Sequence, residues 1–238
     1  MRTKYVFDVD GTLTPSRGII DLEFKSWFNA FCLVNDVYLV TGSDRAKTIE
    51  QISETTYNLC KRVYNCSGSD VYSGSEKIRS SDWKSPNALH LILDGWLQAS
   101  KFPHRTGNHK EERPGMLNFS VVGRNASPED RKEYVKFDTS NRERESIAHV
   151  INSYFEDITA TVGGETGIDI HPTGADKSQI LEDFQNYREK IHFFGDAIHP
   201  SGNDWSIANA VDKRLNGTSH HVKNWNDTWN KLKEFSND

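Results

Sequence analysis

Tyr5-Val6-Phe7-Asp8-Val9-Asp10-Gly11-Thr12-Leu13-Thr14 is the stretch whose reading decides the fold. A short apolar run ends at a carboxylate and a glycine turn, which reads as a buried strand entering a loop. From Asp21 the period changes. Phe24, Trp27, Phe28 and Phe31 recur at i, i+3, i+4 and i+7, the stripe of an amphipathic helix. Asn35-Asp36 then makes a turn, and Val37-Tyr38-Leu39-Val40 is a second buried strand ending at Thr41-Gly42-Ser43-Asp44. A helix is expected from near Asp44, because Ser and Asp are favoured N-caps. Strand, helix and strand with polar residues at each strand's carboxyl end form the βαβ pattern of an open parallel sheet, whose ligands bind at those ends.

The same pattern returns far along the chain, where Ile191-His192-Phe193-Phe194 runs into Gly195-Asp196. Between the two the character differs. A polar and basic stretch gives way to the alternating run Met116-Leu117-Asn118-Phe119-Ser120-Val121-Val122. Ile158-Thr159-Ala160-Thr161-Val162 then leads through Gly163-Gly164 to Ile168-Asp169-Ile170. These read as antiparallel strands joined by turns. The expected fold is α/β: a Rossmann-like parallel-sheet core from residues 1–79 and 176–238, with an α+β domain carrying an antiparallel sheet inserted at 80–175. A terminal helix is expected around Trp225 and Trp229, which stand at i and i+4.

Composition narrows the function class. Hydrophobic residues at 35%, charged residues at 26% and a net charge of −5 describe an ordinary folded chain. They give no basic excess for binding a nucleic acid. No stretch approaches a membrane span. Three cysteines, Cys32, Cys60 and Cys66, fit neither a Cys-x-x-Cys metal site nor a closed disulfide set, so a reducing, cytoplasmic compartment is expected. His220-His221 lack ligand spacing and are expected at the surface.

Asp8 and Asp10 carry the chemistry. Two carboxylates this close repel, so a cation or a shared proton must hold both near neutral pH. A hard cation such as Mg2+ prefers oxygen ligands and keeps positions open for phosphate. One carboxylate can attack phosphorus while its neighbour moves a proton. The plain alternative is a calcium-type loop or a turn, but the rest of an EF-hand loop is missing.

Phe7 to Thr14 resembles the signature of haloacid-dehalogenase-type phosphotransferases. Further elements follow in that superfamily's order: Thr41-Gly42-Ser43, Lys177 after Gly174-Ala175-Asp176, and Gly195-Asp196 ahead of Gly202-Asn203-Asp204. Within it the chain is similar to the eukaryotic-type phosphomannomutases over nearly its whole length, through Asp8 to Pro15 with Arg17, Gly115 to Asn118, Gly123-Arg124, Gly163-Gly164 ahead of Asp169, and His192 to Gly195.

The resemblance implies a haloacid-dehalogenase core with an inserted cap domain. It also implies interconversion of mannose 6-phosphate and mannose 1-phosphate through a phospho-aspartate and a hexose 1,6-bisphosphate, which serves as activator. Asp8 would be the residue phosphorylated, Asp10 the general acid/base and Lys177 the charge-balancing cation. Mg2+ would be held by the Asp8 carboxylate, the Asp10 backbone carbonyl and Asp196. Thr41, Gly42 and Ser43 would hold the transferring phosphoryl oxygens. Arg113, Arg124 and Arg131 keep the family's separations of 11 and 7 residues, and guanidinium forks suit phosphate. Arg17 and Asp169 would complete the substrate contacts, and two copies would pair through the cap. A sugar-phosphate phosphatase and a non-catalytic phosphosugar-binding protein are the rival readings. Gly167 departs from the family, which places a serine there, and the residues after Asp204 lack the acidic pattern of a second cation site.

Overall fold

The computed structural model describes residues 3–184, 189–200 and 202–235. The chain divides into two compact units, residues 1–80 with 176–238, and residues 81–175.

The first unit is a seven-stranded sheet flanked by helices. In chain order it holds β1 (Thr3–Phe7), α1 (Leu22–Val34), β2 (Asp36–Val40), α2 (Arg45–Ile52), α3 (Glu54–Leu59), β3 (Arg62–Asn65), β4 (Asp70–Ser73) and β5 (Glu76–Ser80). Two further strands, from beyond the second unit, complete the sheet. The Phe24, Phe28 and Phe31 stripe of α1 is buried, and Asp21 caps the helix by accepting from the Glu23 and Phe24 amides. Such a cap contributes about 1 kcal/mol. Phe7 stacks on Phe194 at 4.9 Å and meets Phe28 edge-on at 5.3 Å, so the strand and helix stripe named by the sequence pack directly on each other.

The second unit opens on α4 (Asn87–Ala99) and continues with β6 (Lys110–Arg113), β7 (Met116–Phe119), α5 (Pro128–Asn141), α6 (Glu143–Tyr154), β8 (Ile158–Gly163) and β9 (Gly167–Pro172). The strands form an antiparallel sheet in the order β6-β7-β9-β8. Leu117, Phe119, Ile168 and Ile170 face one side and pack into a core with Leu89, Leu93, Tyr134, Ile147 and Ile151 of the helices. The alternating run expected to reach Val122 stops as a strand at Phe119. Beyond it, the Ser120 amide donates to His109 and the Val122 carbonyl accepts from Thr106, so the pairing passes to a loop.

The chain then re-enters the first unit through a 3₁₀ turn at Lys177–Asp183, followed by β10 (Lys190–Gly195), α7 (Trp205–Asp212), β11 (Gly217–His221) and α8 (Trp225–Phe235). The sheet order is β11-β10-β1-β2-β3-β4-β5. It is parallel from β11 to β3 and antiparallel at the β3–β4 and β4–β5 pairs. The chain moves from β1 outward to β2 and later returns to β1's other side with β10. Strand order reverses at β1, and a sheet of this kind binds its ligand at the carboxyl ends beside such a reversal.

Of the histidine pair expected at the surface, His221 is exposed but His220 is half-buried. His192 is buried, and its Nδ1 lies 2.8 Å from Nε2 of His220, whose ring stacks on Phe194 at 4.5 Å. Alternation on β10 and β11 turns the His192 and His220 rings toward the α8 side, where Phe235 covers them.

Candidate active site

Asp8 follows the last residue of β1, and its amide donates to the Phe194 carbonyl of β10 at 2.9 Å. In the sheet register Phe7 stands between Leu39 and Phe194. Asp8, Thr41 and Asp196, each just past or near a strand end, therefore share the carboxyl edge of the sheet. The loop after β1 closes on itself: Leu13 N–H donates to Val9 and Gly11 N–H to Thr14, while Thr228 of α8 donates its hydroxyl to the Thr12 carbonyl at 2.6 Å.

Lys177 is the electrostatic centre. Its Nζ donates to Asp8 Oδ1 at 2.5 Å and to Asp204 Oδ1 at 2.7 Å, and all three side chains are buried. Burial works against the ammonium, but Asp204 and then Asp8 outweigh it and hold the lysine pKa above its ordinary value. The carboxylates outnumber it. Burial raises the Asp8 pKa well above the usual range; Lys177 opposes this, while Asp204, Asp196 and Asp10 add to it. Asp196 is raised to about 6, first by burial and then by Asp204.

Oxygens of Asp8, Asp196 and Asp204 lie within 4.8 Å of one another. One ammonium cannot neutralise them, and an all-oxygen donor set with surplus negative charge suits a hard divalent cation. Gly11 makes room for that set. Its φ is +79°, and a Cβ there would fall 2.2 Å from Asp196 Oδ2.

The Asp10 carboxylate is held separately. Its Oδ1 accepts from the Arg17 amide at 2.6 Å and from Gln51 Nε2 at 2.9 Å, and its Oδ2 accepts from Ser43 Oγ at 3.4 Å. Arg17 reaches this position with a left-handed φ of +56°. The Thr41–Ser43 loop is pinned in turn: the Ser67 amide donates to Thr41 O at 2.8 Å, and the Cys66 amide to Ser43 O at 2.9 Å. Cys66, Ser67 and Gly68 all have positive φ. Backbone strain of this kind costs of order 1–3 kcal/mol per non-glycine residue and persists where surrounding structure over-determines it.

In the second unit Arg113 and Asp169 fall on one face of the sheet. Asn118 pairs directly with Glu111 and with Asp169, opposite the apolar face. Asn118 Nδ2 donates to Asp169 Oδ1 at 2.7 Å. Arg113 and Arg124 both donate to Glu111 Oε2, at 2.9 and 2.7 Å. Arg131 at the start of α5 is bonded to Glu165 at 3.3 Å rather than to that group.

A family model described as eukaryotic phosphomannomutase matches residues 33–238. The chain belongs to the eukaryotic phosphomannomutase family. A phosphomannomutase of Schizosaccharomyces pombe is 33% identical to it, over 99% of this chain and 95% of that protein. One from Saccharomyces cerevisiae is 32% identical, over 99% and 94%. Among solved structures, the C-terminal domain of Candida albicans trehalose-6-phosphate phosphatase superposes with a TM-score of 0.69 at 14% identity, covering 99% of this chain and 92% of that one. An IMP-nucleotidase of Plasmodium falciparum superposes with a TM-score of 0.62, also at 14% identity, over 100% and 68%. These two show a shared fold.

Two residues of this phosphomannomutase-family site were not assigned roles from sequence. Asp204 sits in the Gly202-Asn203-Asp204 motif, yet its bond to Lys177 spans 27 residues. Gln51 lies on α2, is fully buried and reaches Asp10 across 41 residues. A buried glutamine on an otherwise polar helix is a signal only once its partner is known. Gly167, the departure from the family, lies beside the Asn118–Asp169 pair: a Cβ there would stand 2.9 Å from Asn118 Nδ2.

Proposed function

We propose that this chain is a Mg2+-dependent phosphomannomutase that interconverts mannose 6-phosphate and mannose 1-phosphate, with a hexose 1,6-bisphosphate as activator and intermediate. The observation that carries the proposal is the buried Lys177 ammonium bonded at once to Asp8 and Asp204 at the carboxyl edge of the sheet. An oxygen of Asp8 attacks a phosphorus of the bisphosphate, and the phosphorus–sugar oxygen bond breaks. Asp10 protonates the departing sugar oxygen and later takes the proton from the hydroxyl that accepts the group back. Gln51 and the Arg17 amide hold Asp10 in place for both transfers. Lys177 balances the charge that builds on Asp8, and the Thr41–Gly42–Ser43 loop orients the phosphoryl oxygens. Positioning and charge neutralisation are the chief demands of phosphoryl transfer.

Asp8, Asp196 and the Asp10 carbonyl, with Asp204 alongside, are the residues to hold Mg2+, which when bound screens the phosphoryl oxygens from these carboxylates. Arg113, Arg124 and Arg131 bind the phosphate that is not reacting, with Arg17 and Asp169 on the sugar. The enzyme works in the cytoplasm, as a homodimer formed through its inserted domain, on small hexose phosphates rather than nucleic acids or membranes. Among the described residues, no helix is long and apolar enough to cross a membrane.

The test is phosphorus NMR with mannose 1-phosphate, Mg2+ and a trace of glucose 1,6-bisphosphate. Mannose 6-phosphate should accumulate without free phosphate, and Asp8→Asn should abolish it. Release of inorganic phosphate in its place would overturn the mutase reading in favour of a phosphatase.

A further inference from the structure

Glu111 stands where an anion is least expected, between two arginines assigned to phosphate. The sheet explains its position. Glu111, Asn118, Asp169 and Thr161 are direct partners across β6, β7, β9 and β8, so they share a face. Arg113 lies two residues along β6 on that same face. Arg124 approaches from the loop after β7, with Nη1 3.5 Å from Asn118 Oδ1. The two guanidiniums converge on one atom, Glu111 Oε2, accepting from Arg113 Nη2 at 2.9 Å and from Arg124 Nε at 2.7 Å. Arg113 is 8% exposed, while Glu111 and Arg124 are about a quarter exposed, so the group is neither sealed nor freely solvated.

A carboxylate in this place does two things. It fixes the guanidiniums side by side, and it cancels about half of their charge where a phosphate would dock. A site that only had to grip would keep both charges. A mutase must also let go, because its bisphosphate intermediate has to be turned end for end.

We propose that Glu111 is the affinity-setting residue of the phosphate grip, an internal anion that weakens the hold of Arg113 and Arg124 on a phosphate so that it can be released. This rests on the reading of those arginines as phosphate ligands. Glu111→Gln keeps an oxygen acceptor at the same reach and removes only the charge. A unit charge at contact distance in a part-exposed site corresponds to roughly tenfold in affinity.

The test is titration calorimetry of the full-length protein with inorganic phosphate and with mannose 6-phosphate, alongside steady-state kinetics. Glu111→Gln should bind both about tenfold more tightly and lower KM in proportion, with kcat reduced. Glu111→Ala removes the same charge, should shift affinity in the same direction, and serves if the glutamine variant does not fold. Weaker or unchanged binding in a folded variant overturns the proposal and leaves Glu111 a mere strut. Arg124→Ala in the wild-type background should lose binding. If it binds as wild type does, the assignment of the arginines fails, an outcome separate from failure of the Glu111 role.

Discussion

Lys177 is the residue on which the candidate site depends most. Removing one partner of a buried ion pair strands the other, at a cost of about 3–5 kcal/mol. Lys177→Met, which strands both Asp8 and Asp204, should lower the free energy of unfolding by an amount in that range and abolish turnover; denaturant titration and phosphorus NMR check the two. His192 is a second informative residue. With its Nδ1 engaged by His220, its Nε2 is buried without a partner among the described residues. A bare lone pair there is less costly than a stranded N–H, so the neutral Nδ1–H tautomer is expected. Burial, then His220 and Lys190, push its pKa down from 6.5 to about 4. Between those values the unfolded chain binds the proton and the folded chain does not. The stability contributed is therefore whole above pH 6.5 and lost as pH falls toward 4. Imidazole NMR should show a His192 midpoint near 4, and a midpoint at 6.5 would contradict the burial argument. Asp8 and Asp10 were legible in sequence because their signal is local, a strand running into an acidic turn. Gln51, Asp204 and the His192–His220 pair were not, because each acquires its meaning from a partner brought close only by folding.

Among the elements, those with a clean period were the readable ones. The four aromatic positions of α1 repeat at helical spacing, and the helix spans Leu22–Val34 behind its Asp21 cap. The β8–β9 hairpin was marked by its glycine turn. By contrast, α5 buries only Tyr134 and Asp138 and shows no apolar stripe. Its start is set by a capping box, with Ser127 and Asp130 bonded reciprocally, a feature the polar stretch conceals. The loop after β1 has its own demand. Gly11 combines a positive φ with contact against Asp196, so both conformation and space require glycine. Gly11→Ala should push Asp196 aside, cut turnover by at least tenfold and raise the Mg2+ concentration for half-maximal activity, measured by metal titration of the rate. An unchanged metal requirement would show that Asp196 does not serve the cation.

At the scale of the whole molecule, the inserted unit is continuous in sequence while the other is not. Residues 81–175 hold a sheet, three helices and a core of their own. Expressed alone, this segment should give a dispersed amide NMR spectrum and a single cooperative melt; a collapsed spectrum would show that it needs the rest of the chain. The first unit has no such independence. β1, an inner strand, pairs with β2, the next strand in sequence, on one edge and with β10 on the other. During synthesis that second edge stays unpaired until about residue 195 has emerged. At 5–20 residues per second this is a wait of roughly 10–40 s. An apolar strand left open for so long is an invitation to mispairing, and the nascent chain meets that hazard well before Lys177, the ion-pair partner of Asp8, has been synthesised.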